Sequence, residues 1–111
     1  QAMFIGGNVD KLTDLAKNEK NPELRVDAIH DLGLMGNRTA DGLLAIYAGD
    51  KDRNIRRAVI QALFLQGNAK PLVEIARKET DPELKRDAVQ KLSLMGGSKE
   101  ATDFMMELLN K

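Results

Sequence analysis

The sequence contains no cysteine and no tryptophan, only three prolines and one histidine, and aromatic residues fill 4% of its 111 positions. Without cysteine it forms neither a disulfide framework nor a thiolate metal site, and a cysteine-free chain suits any compartment. His30 is the single histidine, and zinc normally takes three or four protein ligands. With only Asp27 and Asp31 near it in sequence, His30 reads as a surface residue. An excess of charge of one sign is also missing. Seventeen basic and seventeen acidic side chains cancel, which argues against a nucleic-acid partner, because such binding draws on a net positive face. The apolar runs are short, as at Phe104-Met105-Met106, so no stretch is expected to span a membrane. No segment alternates with period two, which excludes a strand-based fold. Gly6-Gly7-Asn8 and Gly96-Gly97-Ser98 lack the preceding strand and following Lys-Ser/Thr of a phosphate loop and read as turns. No nucleophile–base arrangement is present. No catalytic, metal-binding or cofactor-binding residue is nominated, and the chain reads as a non-enzyme.

What is present is an internal repeat. The segments from Pro22 to Gly36, Arg53 to Gly67 and Pro82 to Gly96 align without gaps, at offsets of about 31 and 29 residues, a helix-pair period. The first and third match best, so a double unit of roughly 60 residues also recurs. Each segment reads as a helix marked at both ends. Asn21, Asp52 and Asp81 are N-cap types, and Pro22 and Pro82 stand at the first helical position, where the missing amide costs nothing. Gly36, Gly67 and Gly96 follow the last apolar residue, the usual place of a left-handed C-cap. Leu24, Ala28, Leu32 and Met35 form an apolar stripe, matched by Ile55, Val59, Leu63 and by Leu84, Ala88, Leu92, Met95.

The intervening stretches predict shorter helices. Asn8 and Asn68 are cap candidates, with apolar faces of Val9, Leu12, Leu15, Ala16 and of Leu72, Ile75, Ala76. Thr39 opens one carrying Leu43, Leu44, Ile46 and Tyr47. Ser98 opens the last, carrying Thr102, Met105, Met106 and Leu109. The spacing predicts helices near 8–18, 22–35, 39–49, 53–66, 69–79, 82–95 and 99–110, with 1–5 the stub of another. Leu12, Leu32, Leu43, Leu63, Leu72 and Leu92 are expected to share one core. Short connections make neighbouring helices antiparallel.

The run PELRVDAIHDLGLMG after an amide cap resembles the second helix of HEAT repeats. It is closest to the short bacterial kind first noted in phycobilisome-lyase proteins. The resemblance covers nearly the whole chain; Arg53 in place of proline and Phe64 in place of a small residue depart from it. It implies an all-α, right-handed α-solenoid of antiparallel helix pairs, with roughly three and a half repeats. The repeats fall at 8–36, 37–67 and 68–97, with 1–7 the tail of a truncated repeat and 98–111 an unpaired helix. That phase reads as a single repeat domain cut from a longer protein. Both ends, with Phe4 and Ile5 at one and Met106 and Leu109 at the other, would then favour end-to-end self-stacking. The resemblance also implies a ladder of polar groups along the stack, here Asn21 with Arg25, Asp52 with Arg56 and Asp81 with Lys85.

Function follows from architecture. In solenoids of this type the second helices line the concave binding surface. The candidate face for a protein partner comprises Val26, His30, Leu34, Arg57, Gln61, Leu65, Arg86, Gln90 and Leu94. Leu34, Leu65 and Leu94, with Ile5, form an apolar column; packing against the next repeat is its preferred reading, a partner-binding row the other. Arg56-Arg57 with Lys85-Arg86 makes a small basic cluster, diluted by Asp52, Glu83 and Asp87. The leading expectation is a protein-interaction scaffold. The alternatives are a nucleic-acid-binding solenoid, through the arginines, and an accessory part of a lyase-type enzyme, which rests on the family name alone.

Overall fold

A computed structural model describes residues 9–110. Its helices are α1 (Val9–Asn18), α2 (Pro22–Leu34), α3 (Ala40–Gly49, entered through a 3-10 turn at Asn37–Thr39), α4 (Arg53–Leu65), α5 (Ala69–Lys78), α6 (Pro82–Ser93) and α7 (Lys99–Leu109). Each lies within two residues of its expected span. The stub at 1–5, the Asn8 cap, and the expected roles of Phe4 and Ile5 lie outside the described residues.

Local chemistry sets the helix ends. Asn21 accepts from the amides of Glu23 and Leu24, Asp52 from Asn54 and Ile55, and Asp81 from Glu83 and Leu84. Each cap satisfies amides that the first turn leaves unpaired. Ser98 caps α7 through the Ala101 amide. Asn68 and Thr39 stand at cap positions but form no such bond. Thr39 instead donates to the Leu32 carbonyl and accepts from Gln66, which also donates to the Gly36 carbonyl, tying the α2–α3 turn to the end of α4. Gly36 (φ 84°) and Gly67 (φ 69°) are left-handed as expected. Gly96 is not: α6 stops at Ser93, and the reversal is spread over a turn closed by the Ser98 amide on the Met95 carbonyl.

Helices α1, α3, α5 and α7 form one layer and α2, α4 and α6 the other, joined as the pairs α1–α2, α3–α4 and α5–α6. The extents of 46 × 26 × 17 Å fit two helix layers and no third. Leu12, Leu32, Leu43, Leu63, Leu72 and Leu92 share one continuous core, as expected. The stack adds Ile29, Ile60 and Ala62, because a second helix inside a layer has neighbours on three sides and buries a wider arc than one stripe.

Two expectations about the core are corrected. Leu24 is 49% exposed, whereas its counterparts Ile55 and Leu84 are buried. Among the described residues α6 has a helix of its own layer, α4, before it, and α2 has none. In α7 the buried residues are Ala101 and Phe104, while Thr102, Met106 and Leu109 are exposed and Met105 is half-buried. Four apolar residues in five positions, 105–109, allow two helical phases. The contacts with α5 and α6 select the one through Ala101, Phe104 and Leu108.

The spacing inside the second layer is uneven. A Cβ on Gly33 would meet the Ala62 Cβ at 2.8 Å and its Cα at 3.0 Å, so α2 and α4 cross almost backbone to backbone. The same repeat position in α4 is Phe64, whose half-buried ring lies under the Lys91 amine at 5.9 Å. Accordingly α4 and α6 approach each other less closely than α2 and α4. Gly33→Leu should therefore destabilise by about 1–3 kcal/mol despite leucine's better helix propensity, because backbone atoms block the new side chain. Urea denaturation checks this; unchanged stability would mean that α2 and α4 do not cross at Gly33.

Candidate functional site

The face of α2, α4 and α6 turned away from the first layer carries a grid of three repeat positions. Val26, Arg57 and Arg86 form one row, His30, Gln61 and Gln90 the next, and Leu34, Leu65 and Leu94 the third. All but Val26 are exposed; Val26 is half-buried against the core. Leu34 and Leu65 are not covered by the next repeat, contrary to the preferred reading of the sequence: they are 53% and 44% exposed, and Leu94, on the last second helix described, is 69% exposed. Gly33 is the residue that faces α4, and Leu34, one position later, is turned roughly 100° around the helix. His30 stands alone, and among the described residues no group of His, Asp or Glu side chains is placed to hold a metal.

The basic cluster read from the sequence is split by the fold. Arg56 and Lys85 turn toward the interior loops, while Arg57 and Arg86 point to solvent. Neither Arg57 nor Arg86 takes part in an ion pair among the described residues. Of the acids the sequence places beside them, Glu83 pairs with Arg53, and Asp87 with Lys91 at 2.7 Å.

The polar ladder exists, but its rungs differ from the expected i, i+4 pairs. Arg25 donates to the Ala16 carbonyl at 2.8 Å and pairs with Asp50 of the next repeat. Arg56 donates to the Asp50 carbonyl at 2.7 Å and to Glu79 of the next repeat at 3.0 Å. Lys85 donates to the Ala76 carbonyl at 2.6 Å. The sequence reading missed the acceptors. Glu19, Asp50 and Glu79 each lie two residues before a cap and accept the cap residue's amide, a recurrence that was visible in the alignment.

The most enclosed chemistry lies between α3 and α5, in a cleft of about 510 Å³ walled by Leu44, Ala45, Ala48 and Ile75. At its floor the Tyr47 hydroxyl donates to Glu79, and the Arg56 guanidinium stacks on the Tyr47 ring at 4.6 Å. The Glu79 side chain is 2% exposed. Its second oxygen accepts the amides of Thr80 and Asp81 at 3.0 and 2.9 Å. Burial pushes the Glu79 carboxyl up, but the Tyr47 hydrogen bond, the amides and the Arg56 charge outweigh it and hold the pKa below the usual value. Asp50 is depressed in the same way, burial being outweighed by Arg25, the Asp52 amide and Arg56. Burial first, then Glu79, pushes the Tyr47 hydroxyl well above its ordinary value. An ionised, fully hydrogen-bonded carboxylate and a firmly protonated phenol brace two repeats. Neither is poised to exchange a proton near neutral pH.

Among the described residues no helix is long and apolar enough to cross a membrane. No curated protein and no solved structure matches the chain. A family model described as HEAT repeats matches residues 9–71, from the start of α1 into α5. Repeats of this family commonly mediate protein–protein interaction and are generally a non-catalytic scaffold. Capped helix pairs in two layers, a continuous leucine core and a match over more than half of its length agree: the chain belongs to the HEAT repeat family.

Proposed function

We propose that the chain is a non-catalytic scaffold that binds a protein partner on the face of α2, α4 and α6. The observation that carries this reading is the leucine row. Leu34, Leu65 and Leu94 occupy one repeat position and are each more than two-fifths exposed, where the core offers buried sites to other leucines of the same helices. A row of exposed apolar side chains beside polar ones is the usual character of an interaction surface. His30, Gln61 and Gln90 lie alongside and supply hydrogen-bonding groups.

A photo-crosslinking amino acid placed at Gln61 or Gln90 should give discrete protein adducts in the cells that make this protein. The same group at Asp14 or Lys70, on the first layer, should not. Adducts arising only from the first-layer positions, or from none, would contradict the proposal.

A further inference from the structure

We propose that the α4–α6 half of this face takes a short segment of the partner that carries acidic residues at one end and leucine-like residues at the other. The inference rests on the proposed scaffold role and specifies the partner's chemistry. Three observations carry it.

The first is charge. Arg57 and Arg86 stand exposed, at the same position of neighbouring helices, without an ion-pair partner among the described residues. Two acids on their own or the adjacent turn are committed elsewhere: Asp87 pairs with Lys91 and Glu83 with Arg53. Two adjacent unpaired guanidinium groups repel a basic segment and attract carboxylates, which they can grip in bidentate fashion.

The second is layout. Leu65 and Leu94 lie eight positions beyond Arg57 and Arg86, about 12 Å along each helix at 1.5 Å per residue. Gln61 and Gln90 lie between them, exposed and with no side-chain hydrogen bond among the described residues. A segment running along α4 and α6 thus meets arginines, then amides, then leucines. Its acidic and apolar ends would be separated by about eight residues if helical, or about four if extended.

The third is shape. The α4–α6 seam is the more open of the two in this layer, and the half-buried Phe64 ring forms part of it. The α2–α4 seam is closed by the Gly33–Ala62 approach and carries Val26 in place of an arginine. A phosphate-backbone ligand would use the arginines but would gain nothing from Leu65 and Leu94. Two arginines unpaired among the described residues, on a chain of zero net charge, are also few for it.

The test uses the whole chain, labelled with nitrogen-15, and two synthetic peptides with a Leu-Leu end and a Glu-Glu end, one helical and one extended, at the separations above. Each has a counterpart with lysine for glutamate. A single-stranded oligonucleotide serves as a third probe. At least one acidic peptide should bind about tenfold or more tightly than its lysine counterpart. Arg57→Glu with Arg86→Glu should reverse that preference, and Leu65→Ser with Leu94→Ser should weaken binding about tenfold. All four residues are exposed, so the variants should fold, which thermal melting verifies. Absence of binding by both acidic peptides, or equal binding of the lysine peptides, overturns the inference. So does oligonucleotide binding that depends on the arginines while the peptides stay unbound. If peptides bind on α2, α4 and α6 without charge preference, the partner chemistry is wrong and the scaffold face stands. A footprint on the α3–α5 cleft would sink both.

Discussion

Replacing Glu79 by alanine is expected to destabilise the protein by about 3 kcal/mol, the lower end of the range for breaking a buried ion pair. The change removes one carboxylate from four donors at once: the Tyr47 hydroxyl, Arg56, and the Thr80 and Asp81 amides. The Arg56 side chain is 21% exposed, so water recovers part of the loss. Because Arg56 and Glu79 act together, Arg56→Ala added to Glu79→Ala should cost much less than the sum of the two. The same residue sets an acid limit. Glu79 and Asp50 both have folded pKa values below their ordinary 4.5 and 3.8. Their contribution is fully present above those values. It is lost as pH falls through the depressed folded values, where the unfolded chain binds protons more readily. Urea denaturation at a series of pH values should show stability falling below about pH 5, and Glu79→Gln should flatten that fall. A loss below about 1 kcal/mol for Glu79→Ala at neutral pH would show that the brace does not hold the two repeats together.

Truncating Leu63 to alanine should cost about 2–5 kcal/mol, the range for a buried leucine whose cavity collapses only in part. Leu63 is fully buried in α4, the helix with a layer neighbour on each side and α3 and α5 against it. No small movement of one neighbour can refill its space. Leu65, two residues later and 44% exposed, should lose little on the same change. The contrast is measurable in one set of urea curves. A cost for Leu63→Ala under about 1 kcal/mol would remove it from the core.

The difference between Leu63 and Leu65 marks how far the sequence could be read. Helix ends were legible because their signals are local: a cap, a proline and a glycine act within one turn of themselves. The six-leucine core was legible because helical periodicity names one stripe per helix. What periodicity cannot name is which neighbour lies on which side. Leu24 and Leu84 share a repeat position, yet among the described residues only Leu84 has a layer helix before it. Helical spacing favours inter-repeat packing for the leucine row, but Gly33 one position earlier already faces α4. Of the nine candidate residues on the second helices, the fold exposes all except Val26. The ladder was legible in kind and not in pairing. Arg25 and Arg56 reach across to Asp50 and Glu79 in the following repeat, a contact of long sequence separation that i, i+4 spacing does not show.

On the proposed function, Leu34, Leu65 and Leu94 serve contact with a partner and not folding. The most direct measurement is a single protein carrying Leu34→Ser, Leu65→Ser and Leu94→Ser, with the photo-crosslinker at Gln61, compared with the crosslinker alone. Its denaturation midpoint should stay close to the parent's, with a change within about 0.5 kcal/mol per site, while the partner adduct disappears. A stability loss on the scale of Leu63→Ala at each site, or an adduct that survives all three substitutions, would contradict the account.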